Sequence, residues 1–402
     1  MDIFFEKTSR RLALGVFVLS VAFGFCLHGF AQAGAGGWDA EPDDAKPSAK
    51  RADSDKPGKD AKQPDDKSPA KDSAKSQVDI SDLLELLSDD NDEVRLSAAQ
   101  RLGLAGNTQA VKPLMQTLAN DASVSVRYGA AVALGLLKSP LALEPLVAAI
   151  KEDDESLRTA AAQALGTLGD AQAITPLQAA AKRDKSELVR AAAAKSLGML
   201  GEKRAAATLR AMLGRDKSEL VRTEAATALG NLGDKRSAKT LGKIVLRDKD
   251  EALRLASAEA LGKLDEKKIT QKVAIALLEQ PPTDEAESKW QEQLNRAELL
   301  ARLGPNAMRI LATATKHKKR HVRKLAITAL GISRDKRALV VLITATKSPN
   351  TSDRWNAVHA LGRLGDKRAL PHLKTLLEDR DDSIREIARH AIKLINKANE
   401  QR

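Results

Sequence analysis

The sequence predicts an all-α solenoid of about ten helical pairs, and three observations carry that prediction. An arginine recurs at Arg95, Arg127, Arg158, Arg190, Arg222, Arg254, Arg323, Arg354 and Arg385, spaced by 31 or 32 residues except for a gap of 69 after Arg254. A glycine follows eight residues later at Gly103, Gly135, Gly166, Gly198, Gly230, Gly262, Gly331 and Gly362, and Lys393 replaces it in the last copy. Aromatics make up only 2% of the chain while Ala and Leu abound. Such a composition suits closely packed helices better than sheets, which favour β-branched and aromatic residues.

Residues 1–33 read as an export signal. Lys7, Arg10 and Arg11 form a basic start, Leu12 to Leu27 an apolar run, and Ala31-Gln32-Ala33 a small-residue site, so cleavage is expected after Ala33. The mature protein is then periplasmic or extracellular, with no transmembrane span left. An uncleaved membrane anchor is the alternative, although the run is short for the roughly 20 residues of a span. The Arg10-Arg11 pair partly resembles a twin-arginine signal. A lipoprotein signal does not fit, because the bulky Phe25 precedes Cys26. Cys26 is the only cysteine. Once the leader is gone, disulfides, thiolate metal sites and cysteine nucleophiles are excluded.

Residues 34–78 are rich in Lys, Asp, Pro and Ala and lack apolar periodicity, as in Asp53-Ser54-Asp55-Lys56-Pro57. They cannot bury enough surface to offset their ordering entropy and read as a disordered linker. The leader carries +1 and residues 34–77 carry −1, so the repeat region holds the whole net charge of +12. That excess favours anionic partners, chiefly an acidic protein face.

Residues 79–397 read as the repeats, followed by a short tail at 398–402. Val111, Leu114 and Leu118 give the first helix of a pair one apolar face, and Val94, Ala98 and Leu102 do so for the second. Pro113, Pro145 and Pro176 fall in first turns, where a missing N–H is tolerated. The Leu-Gly pairs are expected to end the second helices, glycine taking the left-handed cap. One pair cannot bury its apolar faces alone, so copies must stack.

The unit V-R-x-x-A-A-x-A-L-G-x-L-G-D, at a period near 32, resembles HEAT repeats of the short, phycobilisome lyase-like kind over about residues 80–397. The resemblance implies a right-handed α-α superhelix, with second helices on the concave face and first helices on the convex one.

An acidic residue precedes most of the arginines by six: Asp89, Asp121, Glu152, Asp184, Asp216, Asp248 and Asp379. These pairs read as a structural ladder tying each turn to its own or the adjacent repeat. The other reading is ligand contact, which repetition along the whole array disfavours.

Departures from the repeat mark candidate binding residues. The seventh copy is disturbed by Pro281-Pro282 and a helix opening near Thr283 that carries Trp290. Either Arg296 or Gln293 takes the arginine position there. The eighth copy holds the densest basic run, Lys316-His317-Lys318-Lys319-Arg320-His321, in which His317 replaces the acid. Lys316, Lys318, Lys319 and Arg320 form a candidate anion patch or a solvated turn. The ninth places Trp355 beside Arg354 with His359 one turn on and His390 at the equivalent place in the tenth; Tyr128 shares the Trp355 position in the second copy. Trp355 is a docking hot spot or packs between helices.

No catalytic constellation emerges and no cofactor or metal is expected. Three functions remain in view. A non-catalytic protein-binding scaffold or adaptor in the cell envelope, binding through the concave face and the seventh to ninth repeats, fits best. An enzyme or enzyme subunit, lyase- or hydroxylase-like, is the second. Deoxyhypusine hydroxylase holds its metal with His-Glu pairs, and this chain has no His-Glu dipeptide. His28 leaves with the leader, and His317, His321, His359, His372 and His390 all lie late. A basic binder of anionic polymers is the third. Nucleic acid is disfavoured, since neither zinc-finger spacing nor an aromatic stacking platform is present and export removes the usual substrate.

Overall fold

The computed structural model describes residues 80–281 and 286–400, with side chains undescribed at 286–290 and 399–400. The leader and the whole linker lie outside these residues. The described residues fall within one compact unit, Ser73–Arg402. They form twenty α-helices and no strand.

The helices alternate between two roles. The first helices are α1 (Ile80–Glu85), α3 (Val111–Asn120), α5 (Leu143–Ala149), α7 (Ile174–Arg183), α9 (Ala206–Arg215), α11 (Ala238–Arg247), α13 (Lys267–Glu279), α15 (Pro305–Ala314), α17 (Ala338–Ala345) and α19 (Leu370–Thr375). The second helices are α2 (Asp92–Ala105), α4 (Val124–Leu137), α6 (Glu155–Leu168), α8 (Glu187–Met199), α10 (Glu219–Asn231), α12 (Glu251–Lys263), α14 (Ala286–Arg302), α16 (Arg320–Ile332), α18 (Thr351–Leu364) and α20 (Asp382–Glu400). Each second helix packs on its own first helix and on the second helices before and after it. This nearest-neighbour arrangement makes the fold an α solenoid with one continuous core.

Local sequence explains where helices start and stop. The side chains of Asn91, Asp154, Ser186, Ser218, Asp250 and Asn350 cap second helices by accepting a backbone N–H two or three residues on. Pro113, Pro145 and Pro176 are each the third residue of a first helix. There the missing N–H has no intrahelical acceptor to lose.

The glycines divide into two jobs, which corrects the expectation that the glycine eight residues after the arginine closes the helix. The left-handed cap falls three residues later, at Gly106, Gly169, Gly201, Gly233 and Gly365, with φ between 65° and 81°. The earlier glycine lies inside the second helix, in contact with the next repeat. A Cβ on Gly103, Gly198, Gly230 or Gly331 would come within 2.7 Å of the alanine six residues after the next arginine: Ala133, Ala228, Ala260 or Ala360. Glycine is there for closeness of helices, not for φ. The row of second helices is consequently the tightly packed layer of the stack.

Candidate binding surface

The arginine ladder sets the spacing on which every surface feature hangs. Arg95 Nη1 donates to its own turn at Asp89 O (2.7 Å), while Nε and Nη2 reach the next turn at Asp121 Oδ2 (2.8 Å) and Oδ1 (3.1 Å). Arg158 does the same with Glu152 O and Asp184, and Arg190 with Asp184 O and Asp216. The ladder aspartates also accept a backbone N–H two residues on, as Asp184 does from Ser186 (2.9 Å). The Asp121 carboxyl lies below its ordinary pKa chiefly through the Arg95 bond. At Asp184 and Asp216 burial raises the pKa, but the arginine and serine hydrogen bonds and the nearby cations lower it, and both end lowered.

Other rungs differ. Arg127 and Arg222 hold their own turns, at Asp121 O (2.7 Å) and Asp216 O (3.1 Å), and make no hydrogen bond to the following acid. Asp248 instead accepts from Asp250 N at 3.0 Å. Arg254 turns back, its Nε donating to Val245 O at 3.0 Å. Arg323 pairs with Asp353 (2.7 Å). Arg354 holds Ser348 O at 3.3 Å and lies 4.0 Å from Asp379. Arg385 holds Asp379 O (2.6 Å) and pairs with Asp382.

Register in the seventh copy is settled in favour of Arg296. Its Nη1 donates to Gln280 O (2.7 Å), the own-turn bond that the ladder arginines other than Arg254 make. Six residues on, the Arg302 carbonyl oxygen meets the space beside Gly262 that an alanine, or Ser196 beside Gly166, fills in other copies. The copy gains residues before its arginine and loses them after it, because Gly304 at φ 66° ends α14 and Pro305 starts α15 at once. Trp290 lies on α14, and its side chain is outside the described residues.

The solvent-facing stripe of the second helices carries the strongest aromatic feature. Trp355, 38% exposed, stacks on His359 with ring centroids 5.4 Å apart and planes at 25°. Arg363 is one turn further along the same stripe and exposed. Burial first, then Arg363 and His390, lower the His359 pKa, so the ring is neutral at pH 7. A flat aromatic face beside a neutral imidazole can take an apolar side chain and a hydrogen bond from one ligand. His390 is exposed, and Tyr128 is half-buried against the core.

Sequence reading missed two members of this stripe. Leu104 and Met199, nine residues after their arginines like Arg363, are 68% and 52% exposed. The signal was an apolar residue where other copies hold Asn231, Lys263 and Arg363. Past Met199 runs a polar chain: Lys263 bonds Asn231 (3.1 Å) and Glu259 (2.9 Å), and Arg302 bridges Glu259 (3.2 Å) and Glu298 (2.9 Å). Along the stripe, Leu104 and Met199 thus precede this polar chain and Trp355 follows it.

Because His359 holds its proton less tightly than in the unfolded chain, stability falls as pH drops below about 6.5 and unfolded histidine charges first. Trp355 fluorescence, taken as the difference from Trp355→Phe, should report a folded-state midpoint below 6.5. A midpoint at or above that value contradicts a desolvated ring.

The basic turn lies at the start of α16. Lys316, Lys318, Lys319 and Arg320 are exposed, and Lys316, His317 and Lys318 line a shallow hollow of about 660 Å³ with Arg309, Ala312 and Thr313. His317 Nδ1 accepts from Lys319 N (3.2 Å), keeping the capping half of the missing acid's role. Lys319 occupies the N-cap with no capping bond, and the first turn of α16 has no acid, whereas α2, α6, α8, α10, α12, α18 and α20 each have one. Cations there oppose the helix dipole. Lys319→Asp should stabilise the chain by about 1 kcal/mol in urea titrations. No gain would mean the turn is already capped in solution.

Among the described residues no cluster of three or more His, Cys, Asp or Glu is placed to hold a metal ion, and no helix is long and apolar enough to cross a membrane.

A family model described as HEAT repeats matches residues 80–166, 143–230, 215–288 and 308–393. No curated protein matches the chain. Among solved structures, human deoxyhypusine hydroxylase in complex with glycerol is similar over 74% of this chain and 99% of its own, at 19% identity and a TM-score of 0.31. The complex of CpcE and CpcF of phycocyanin lyase from Nostoc sp. is similar over 63% and 94%, at 24% identity and 0.34. The Escherichia coli protein YibA is similar over 69% and 98%, at 24% and 0.35. At such identities the likeness concerns the fold alone.

Proposed function

The chain belongs to the HEAT-repeat family, and from that premise we propose that it is a non-catalytic protein-binding scaffold or adaptor of the cell envelope. The observation that carries this reading is the Trp355–His359 stack on the solvent-facing stripe of α18. An aromatic ring left 38% exposed on an otherwise repetitive, aromatic-poor stack supports a binding role more than a packing one. The partner docks along the second-helix face. Its apolar side chain covers Trp355, and its acidic groups lie towards the basic turn at Lys316–Arg320. The basic turn also favours a second reading, a binder of anionic polymers, at the same place.

A photo-crosslinker placed at the position of His390 in the native envelope tests the first reading. The expected result is a discrete crosslinked protein that disappears in Trp355→Ala. Crosslinks that survive that substitution, or the absence of any protein adduct, argue against the scaffold. Salt-sensitive retention of duplex DNA at physiological ionic strength would favour the second reading. Export is tested separately: mature protein from the envelope should begin at Gly34, and a chain retaining Met1 in the membrane would support the anchor.

A further inference from the structure

The ladder defines what should sit between successive turns, and in the seventh copy it is missing. Gln280 occupies the slot of the ladder acids. It is 26 residues after Arg254, as Asp121, Asp184 and Asp216 are after Arg95, Arg158 and Arg190. It ends its helix with ψ 126°, against 135° to 139° at those aspartates, and its backbone N–H makes the same closing bond, to Ala276 O. Aspartate's second role is also void there, since Pro282, two residues on, has no N–H to be accepted.

The neighbouring cations show the consequence. Arg254, without a rung acid, has turned back to Val245 O. Arg296 is 97% buried, yet its Nε has no hydrogen-bond partner. Its own forward slot, 21 residues on, is filled by His317 rather than an acid. Burial lowers its pKa, Glu292 opposing and Arg254 reinforcing. Arg254 and Arg296 line one hollow of about 550 Å³ with Arg247, Asp248, Gln280 and Glu292. An unpaired buried donor of this kind is costly and points to an absent ligand.

We propose that this hollow is a carboxylate subsite: an Asp or Glu side chain of a bound protein enters it and supplies the rung that Gln280 does not, between Arg254 and Arg296. The chemical class follows from the lining. The homologous arginines bind carboxylate through Nε and Nη2, as Arg190 binds Asp216 at 2.8 and 2.9 Å. Three guanidiniums face two carboxylates: Asp248, engaged by Asp250 N at 3.0 Å, and Glu292, 3.5 Å from Arg296 Nη2. That balance suits one monoanion better than a phosphate dianion. That the carboxylate comes from a protein rests on the scaffold reading above; the site itself does not.

Thermal unfolding of the full chain tests it with a small probe, so the result is independent of any partner. The probe is the end-capped tripeptide Gly-Asp-Gly, with capped Gly-Asn-Gly and inorganic phosphate at matched ionic strength. The Asp peptide should raise the Tm of the wild type in a saturable way, and the Asn peptide should not. Gln280→Asp should raise the Tm of the free protein and abolish the peptide's increment. Arg254→Met should fold and lose the increment too. The assignment is overturned by no peptide effect on the wild type, by an equal effect on Gln280→Asp, or by a larger rise with phosphate than with the Asp peptide.

Discussion

Asp216→Ala is expected to cost about 3–5 kcal/mol of stability, whereas Asp248→Ala, at the same place in the repeat, should cost only about 1 kcal/mol. Both residues cap the turn that follows, through Ser218 N (2.9 Å) and Asp250 N (3.0 Å). They differ in what leans on them. Arg190 places both Nε and Nη2 on Asp216, and the two side chains are 8% and 10% exposed. Deleting Asp216 strands a buried guanidinium. Deleting Asp248 breaks no arginine hydrogen bond, since Arg222 makes none to it. Urea titrations read the difference, and equal losses would show that the ladder contributes only caps.

The same rungs set the acid limit. Asp121, Asp184 and Asp216 all have folded pKa values below their unfolded ones. Their contribution is therefore complete above about pH 4 and is lost as pH falls through the folded values, when the carboxylates protonate and release their arginines.

Much of this was legible in the sequence because repetition makes a weak signal strong. One Val-Arg-x-x-Ala-Ala segment says little; nine related segments, each built on an arginine and spaced by 31 or 32 residues apart from one gap of 69, say solenoid, and the HEAT resemblance follows. What a period cannot convey is which of several roles a repeated residue plays. Gly230 and Gly233 both follow a leucine near the end of α10, and the sequence alone assigns the cap to both. Only the approach of Ala260 distinguishes the buried glycine from the one at φ 65°. The candidate site was legible where it broke the pattern chemically, as at Trp355 and Lys316–Arg320. The missing rung was not, because Gln280 and Arg296 could not be placed until Arg296 was seen to hold Gln280 O. Leu104 and Met199 passed as ordinary apolar residues, since exposure depends on which side of the helix the neighbours cover.

That division of labour among glycines predicts opposite signs for the same kind of substitution. Gly230→Val should destabilise the chain by about 3 kcal/mol, and Gly214→Ala should stabilise it by up to about 1 kcal/mol. A Cβ on Gly230 would lie 2.7 Å from Ala260 Cα and 2.8 Å from its Cβ. No rotamer change relieves a contact with backbone, so α10 and α12 must separate. In a stack held by neighbour contacts, a forced gap between α10 and α12 weakens the packing of those two repeats on each other. Gly214, inside α9, has nothing within 4 Å of its virtual Cβ, so there alanine brings only a gain in helix propensity. Gly230→Ala should be milder than the valine variant, because the same propensity gain offsets part of the clash. If the valine variant unfolds at the wild-type midpoint, the close approach of second helices is not what holds neighbouring repeats together.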